Sequence, residues 1–176
     1  MDRPEDVKEQ KRMGLGMMIM AWLLLLGFGV VFFGDVLEKQ FNLNQRLNIQ
    51  VSSEGVREVV LQRNRFGHYV TSGTINGQPV TFMLDTGATG VAIPEAVARK
   101  LAIPRGRAYR TQTANGVSTS YAARLDRVAV GAIELRDVQA GIAPGLQMEE
   151  ILLGMSFLKH IEFTQRGDQL ILRQYP

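Results

Sequence analysis

Val80-Thr81-Phe82-Met83-Leu84-Asp85-Thr86-Gly87-Ala88 is the stretch whose reading decides the fold. Its first five residues are apolar or β-branched and make a short strand. The strand runs into a carboxylate, Thr86-Gly87 turns the chain, and Gly90-Val91-Ala92-Ile93 begins another short strand. A carboxylate is thereby set on a tight turn whose backbone faces a cleft. Gly87 lets the backbone come close, so that amide N–H groups can reach Asp85. Ala88 is small and leaves room beside it. The triplet Asp-Thr-Gly alone is a weak signal, since roughly a few chains in a hundred of this length would contain it at average residue usage. The strands on either side give it weight.

Outward from this stretch, the chain keeps the same grammar of short β runs and turn signals. Upstream, Glu58 to Gln62 and His68 to Ile75 read as strands, and Asn76-Gly77 is a two-residue hairpin signal before Val80. Downstream, Pro94 to Leu101 reads as a short helix, with proline in its first turn, Glu95 beside it and Arg99-Lys100 in its last turn. Thr111 to Ala114 and Val117 to Ala123 form a second hairpin about Asn115-Gly116. Leu125 to Val130, Ile133 to Ala140 and the apolar Ile151-Leu152-Leu153 are further strands. Ser156 to His160 makes a helical turn or two, and Ile161 to Thr164 and Gln169 to Arg173 close the chain as a hairpin. The expected domain is small and mostly antiparallel β, with about nine strands and one or two short helices.

The N-terminal region has a different character. Met13 to Phe33 carries no charged residue, and at ~1.5 Å per residue such a helix spans the ~30 Å hydrocarbon core of a bilayer. It is apolar on every face, which argues against a buried core helix. The residues after it (Gly34-Asp35-Val36-Leu37-Glu38) offer no small-x-small cleavage site, which argues against a signal peptide. Arg3, Lys8, Lys11 and Arg12 precede the span, while Lys39 and Arg46 follow it. That bias puts the N-terminus in the cytoplasm and the rest across the membrane. The polar stretch from Asp35 to about Ser53 reads as a tether, exposed and open to self-cleavage. The expected divisions are a cytoplasmic tail (1–12), a transmembrane helix (13–34), a tether (35–55) and a folded domain (56–176).

Two further segments complete a resemblance. Ile151-Leu152-Leu153-Gly154, followed by Met155-Ser156-Phe157-Leu158, is a hydrophobic-hydrophobic-Gly element leading into a helix. Thr113-Ala114-Asn115-Gly116 lies between it and Asp85. The order over about Phe66 to Arg173 resembles that of retropepsin-like aspartic proteases, in the bacterial form with one membrane span before the protease domain. The resemblance implies a mostly β, retropepsin-like acid protease half-barrel of antiparallel strands, with a flap hairpin and short helices. It makes Asp85 catalytic and Thr86, Gly87 and Ala88 its active-site loop. Ala114, Asn115 and Gly116 become the flap, and Leu153 and Gly154 the second active-site element. It implies no cofactor and no metal. It also implies a homodimer, because the chain carries one such loop and the chemistry needs two carboxylates. Thr86 would then bond across the two-fold axis. Two facing carboxylates cannot both ionise, so they share a proton, activate a water and work best at mildly acidic pH. Viral members continue the loop as Asp-Thr-Gly-Ala-Asp and follow the later glycine with arginine, forming a salt bridge. Here Thr89 and Met155 stand at those places, so both partners are absent together.

Composition narrows the remaining choices. The chain has no cysteine, which excludes thiol catalysis, disulfides and thiolate metal sites. His68 and His160 lack ligand spacing, and a net charge of +3 gives no case for nucleic acid. Arg105, Arg107 and Arg110 read as a solvated basic loop that could alternatively meet substrate or lipid, and Glu149-Glu150 as loop carboxylates. The expected activity is that of an aspartic endopeptidase in a bacterial inner membrane. Its partners would be a second copy, a peptide or protein substrate and the bilayer, with the protease domain in the periplasm. The alternative is a membrane-anchored module of the same fold that binds peptide or envelope components without turnover. An unrelated β-barrel with a coincidental Asp-Thr-Gly is a third reading, which the Leu153-Gly154 element disfavours.

Overall fold

The computed structural model describes residues 4–113 and 116–176, with the side chains of residues 4–13 and 35–38 outside that description. The chain forms two compact units, Met1–Lys39 and Gln40–Pro176. Most of the first is helix α1 (Pro4–Phe41), whose stretch Gly14–Phe41 contains an unburied 18-residue window of mean hydropathy 2.4 and is long and apolar enough to cross a membrane. The helix does not stop at residue 34. No glycine or proline follows Gly34 before Phe41, and Lys39 in the last turn suits the helix dipole, so nothing in residues 35–41 breaks the helix.

The second unit contains eleven strands among the described residues. They are β1 (Asn48–Val51), β2 (Arg57–Gln62), β3 (Val70–Ile75), β4 (Gln78–Leu84), β5 (Val91–Pro94), β6 (Ala108–Thr113), β7 (Gly116–Val130), β8 (Ile133–Ala143), β9 (Ile151–Leu153), β10 (Glu162–Arg166) and β11 (Gln169–Gln174). Two short helices accompany them, α2 (Glu95–Lys100) and α3 (Met155–Leu158). Two of the strands expected from sequence are one: β7 continues through Arg124, because its side chain is exposed and paired with Asp137 while Leu125 turns inward. Strand β1 was not expected at all.

A seven-stranded sheet runs in the order β3-β4-β9-β5-β8-β7-β6, and β3 also pairs with β7, which closes the sheet on itself. Closure brings two backbones together at Gly73, where a Cβ would sit 2.4 Å from the Ala129 carbonyl oxygen, so only glycine fits. A four-stranded sheet, β1-β2-β11-β10, supplies Val59, Leu61, Leu170 and Leu172 to the same core as Phe82, Ile93, Leu125, Ile142, Ile151 and Phe157. Burial of each such side chain contributes about 1.5–3 kcal/mol. Asn76 (φ 50°) and Gly77 (φ 82°) make the tight β3–β4 turn.

The expected tether, residues 35–55, needs correction. Residues 35–41 are helical, and the rest belongs to the folded unit. Asn44 is buried. Its side-chain amide donates to the carbonyls of Gln62 (2.9 Å) and Val70 (2.7 Å) and accepts from the Gln62 N–H (2.7 Å). Asn42, also buried, donates to Ser72 Oγ and accepts from the Asn44 N–H. Four residues on, β1 pairs with β2. Polar side chains that look like linker composition are here used up on backbone groups that β2 and β3 leave open.

Candidate active site

Asp85 follows the last residue of β4, and the position of that strand is fixed from both sides. The Leu84 N–H donates to the Tyr69 carbonyl (3.0 Å), and the Asp85 N–H to the Leu153 carbonyl (3.3 Å). Strand β9 runs parallel to β4, with Leu84 opposite Leu153, and antiparallel to β5, with Ala92 opposite Leu152. The two strands that flank the Asp85 loop therefore share one partner. Strand β5 pairs in parallel with β8 on its other side. Among the described strands, the two parallel ladders both lie here.

The carboxylate of Asp85 is half-buried, and its Oδ1 accepts the Gly87 N–H at 2.8 Å. The Ala88 N–H returns to the Asp85 carbonyl at 3.2 Å, closing the turn. A Cβ on residue 87 would lie 3.1 Å from Oδ1, so a side chain there would crowd the oxygen that the backbone holds. Thr86 and Gly87 are exposed at the tip and Ala88 is half-buried.

Gly154 is the floor of this loop. A Cβ there would stand 2.2 Å from the Gly90 carbonyl oxygen and 2.5 Å from that of Ala88, distances that no side chain tolerates. The glycine lets the loop lie directly on the start of α3, where N–H groups have no partner within the helix. Met155 N–H donates to the Ala88 carbonyl (2.8 Å) and Ser156 N–H to the Thr89 carbonyl (3.0 Å). The segments that hold Thr89 and Met155 are thus joined through the main chain, each of the two residues bonding to the other's neighbour. Ser156, which sequence reasoning placed only at a helix start, ties three elements together. Its Oγ accepts from the Val91 N–H (3.0 Å) and donates to the Gln139 carbonyl (2.8 Å). A serine two residues after the Leu-Gly step was the available signal.

Thr86 opens onto a cavity of about 230 Å³ that Tyr69, Leu84, Phe163, Gln165 and Leu170 help to line. The Tyr69 hydroxyl is buried there without a hydrogen-bond partner among the described residues, and Phe163 is 37% exposed.

Of the expected flap, Ala114 and Asn115 lie outside the described residues. Gly116 opens β7 with φ 105°. The hairpin is paired from Ala108↔Tyr121 to Thr113↔Gly116, and among the described residues its β6 strand pairs with β7 alone. Arg105, at its base, pairs with Glu95 and lies 4.9 Å above the Tyr121 ring. Of the basic loop, Arg107 and Arg110 are exposed. The structure thus brings together Asp85, Thr86, Gly87, Ala88, Leu153 and Gly154, and carries the β6–β7 hairpin, with Gly116, on another part of the same sheet.

Comparison with known proteins bears on what this arrangement is. A family model described as gag-polyprotein putative aspartyl protease matches residues 71–160, just over half of the chain. An uncharacterized protein in the cobV 5′ region of a Sinorhizobium species is 35% identical over 132 residues, which is 73% of this chain and 57% of that protein. An uncharacterized protein of Rickettsia prowazekii (strain Madrid E) is 28% identical over 126 residues, 70% of this chain and 54% of its own length. The chain spans a little over half the length of these two relatives. Among solved structures, a retropepsin-like aspartic protease from Rickettsia conorii has a TM-score of 0.57 at 28% identity, covering 73% of this chain and 94% of that one.

Proposed function

Since the chain belongs to the gag-polyprotein putative aspartyl protease family and has a retropepsin-like fold, we propose that it is a membrane-anchored, homodimeric aspartic endopeptidase. The observation that carries this reading is Asp85 itself. A half-buried carboxylate, held at 2.8 Å by the Gly87 N–H, sits on a loop that β9 and α3 brace from beneath, and each chain has one.

Two Asp85 side chains meeting at a two-fold axis share a proton, because like charges so close cannot both persist. The ionised carboxylate takes a proton from a water between them. The water oxygen attacks the scissile carbonyl while the protonated carboxylate hydrogen-bonds to the carbonyl oxygen. Collapse of the tetrahedral species passes a proton to the leaving amine. The Gly87 N–H keeps the ionised oxygen in place. Thr86, beside the axis, bonds to its copy. The cavity next to it, with exposed Phe163 in its wall, supports contact with a second copy there. The β6–β7 hairpin, including Ala114, Asn115 and Gly116, closes over the peptide.

The apolar stretch of α1 supports anchoring, and the basic residues before that stretch (Arg3, Lys8, Lys11, Arg12) support a cytoplasmic N-terminus with the protease domain in the periplasm of a bacterial inner membrane. In this reading the chain is a short tail, one span and a protease domain that begins directly after the helix.

Peptide cleavage by the full chain, measured from mildly acidic to neutral pH beside Asp85→Asn, tests the proposal. Cleavage that vanishes in the variant and rises more steeply than linearly with enzyme concentration is expected. A folded chain that binds peptides and never cleaves them would favour the binding module instead.

A further inference from the structure

We infer that the turn between β2 and β3, with the chain just after α1, forms a basic-aromatic foot that seats on an anionic lipid surface. This inference rests on the reading of α1 as a membrane span.

Three observations converge on it. The first is attachment. Asn64 is buried and organises the turn that follows it: its Oδ1 accepts the N–H groups of Phe66 and His68, both at 3.0 Å, and its Nδ2 donates to the Phe41 carbonyl at 2.9 Å. Phe41 is the last residue of the candidate span, and its ring centroid lies 6.2 Å from that of Phe66. A surface loop far along the sequence is thus tied to the residue at which the apolar helix ends. Phe66 stays within a few ångströms of that end wherever the helix points.

The second is exposure. Phe66 is 54% exposed and Leu43 is 49% exposed, one on each side of this tie. The turn is held by internal hydrogen bonds, so the phenyl group is presented by a fixed frame. An exposed apolar ring beside a bilayer gains by inserting at the boundary of headgroups and acyl chains.

The third is charge. Arg46 and Arg65 are exposed and form no ion pair among the described residues. The Arg65 guanidinium rests 4.7 Å above the Phe66 ring, so charge and ring are offered together. Arg63 already pairs with Asp168. Neither residues 40–53 nor residues 62–84 contain an aspartate or glutamate, so no acid in these segments opposes an anionic surface. An aromatic and basic patch, whose neighbouring Asp168 is already neutralised by Arg63, suits anionic lipid headgroups, and each unpaired arginine strengthens binding there by about fivefold.

The test uses the full chain reconstituted in vesicles, with brominated lipids as quenchers. Native Trp22 is the chain's one tryptophan and reports on the span. Phe66→Trp in a Trp22→Phe background reports on the foot. The expected result is deep quenching of Trp22, together with blue-shifted emission from the tryptophan at position 66 and its quenching by lipids brominated near the headgroup. The second signal should be stronger with anionic lipid than with zwitterionic lipid alone. Arg65→Gln and Arg46→Gln should each lower the seated-to-unseated ratio about fivefold in anionic vesicles. Quenching of Trp22 with red, unquenched emission from position 66 would overturn the foot and leave the span standing. Absence of Trp22 quenching would overturn both.

Discussion

The Asp85 loop and the β6–β7 hairpin are the two jaws of one cleft in the proposed enzyme, and they are held in opposite ways. The loop is bonded through its backbone to β9, α3 and itself, and rests on a glycine with no space left beneath it. Among the described residues the hairpin is paired along its own ladder and meets β8 at its base, from Tyr121↔Ile142 onward, and most of β6 is exposed. A carboxylate that must meet its copy within hydrogen-bond distance needs rigid support, whereas a cover that admits peptides must open. The sheet supplies both by branching. The C-terminal part of β7 pairs with β8 and, at Val128 and Ala129, with β3 inside the closed sheet, while its N-terminal part pairs with β6 and carries the arm.

Substitutions can break this contrast. The largest effect is expected from Asp85→Asn, which should leave folding intact and reduce cleavage by about a thousandfold or more. Gly154→Ala should come next. Its methyl group would displace the loop carbonyls, lowering stability by about 3 kcal/mol in urea denaturation and abolishing cleavage together with it. Ser156→Ala removes one acceptor and one donor beneath the same loop and should cost about 1–2 kcal/mol, with a fall in kcat rather than a rise in KM. On the other jaw, Val117→Ser, at a side chain 55% exposed, should change stability by less than about 0.5 kcal/mol and act on KM for peptide. A flap substitution as destabilising as Gly154→Ala would mean that the hairpin is part of the rigid body after all.

The sequence made the rigid jaw more legible than its surroundings. A strand running into Asp-Thr-Gly, and an apolar triplet running into Gly154, are local patterns whose physical demands are also local. Asn76-Gly77 signalled its turn for the same reason. The stretch after the helix was misread because buried and exposed asparagine look alike in a sequence. Asn42 and Asn44 have linker composition, and only their bonds to β2 and β3, far along the chain, make them structural. The same blindness hid β1, whose pairing depends on β2. Asn44→Ala should lower the urea midpoint by an amount equivalent to about 2 kcal/mol, where a tether residue would change nothing.

The central claim is that one active site needs an Asp85 from each of two chains. The most direct test mixes wild-type and Asp85→Asn chains at constant total protein, under conditions where subunits exchange, and follows peptide cleavage against the wild-type fraction. A shared site predicts that activity falls as the square of that fraction, because every mixed dimer is inactive. A linear fall, with each wild-type chain keeping its full activity beside any partner, would contradict it.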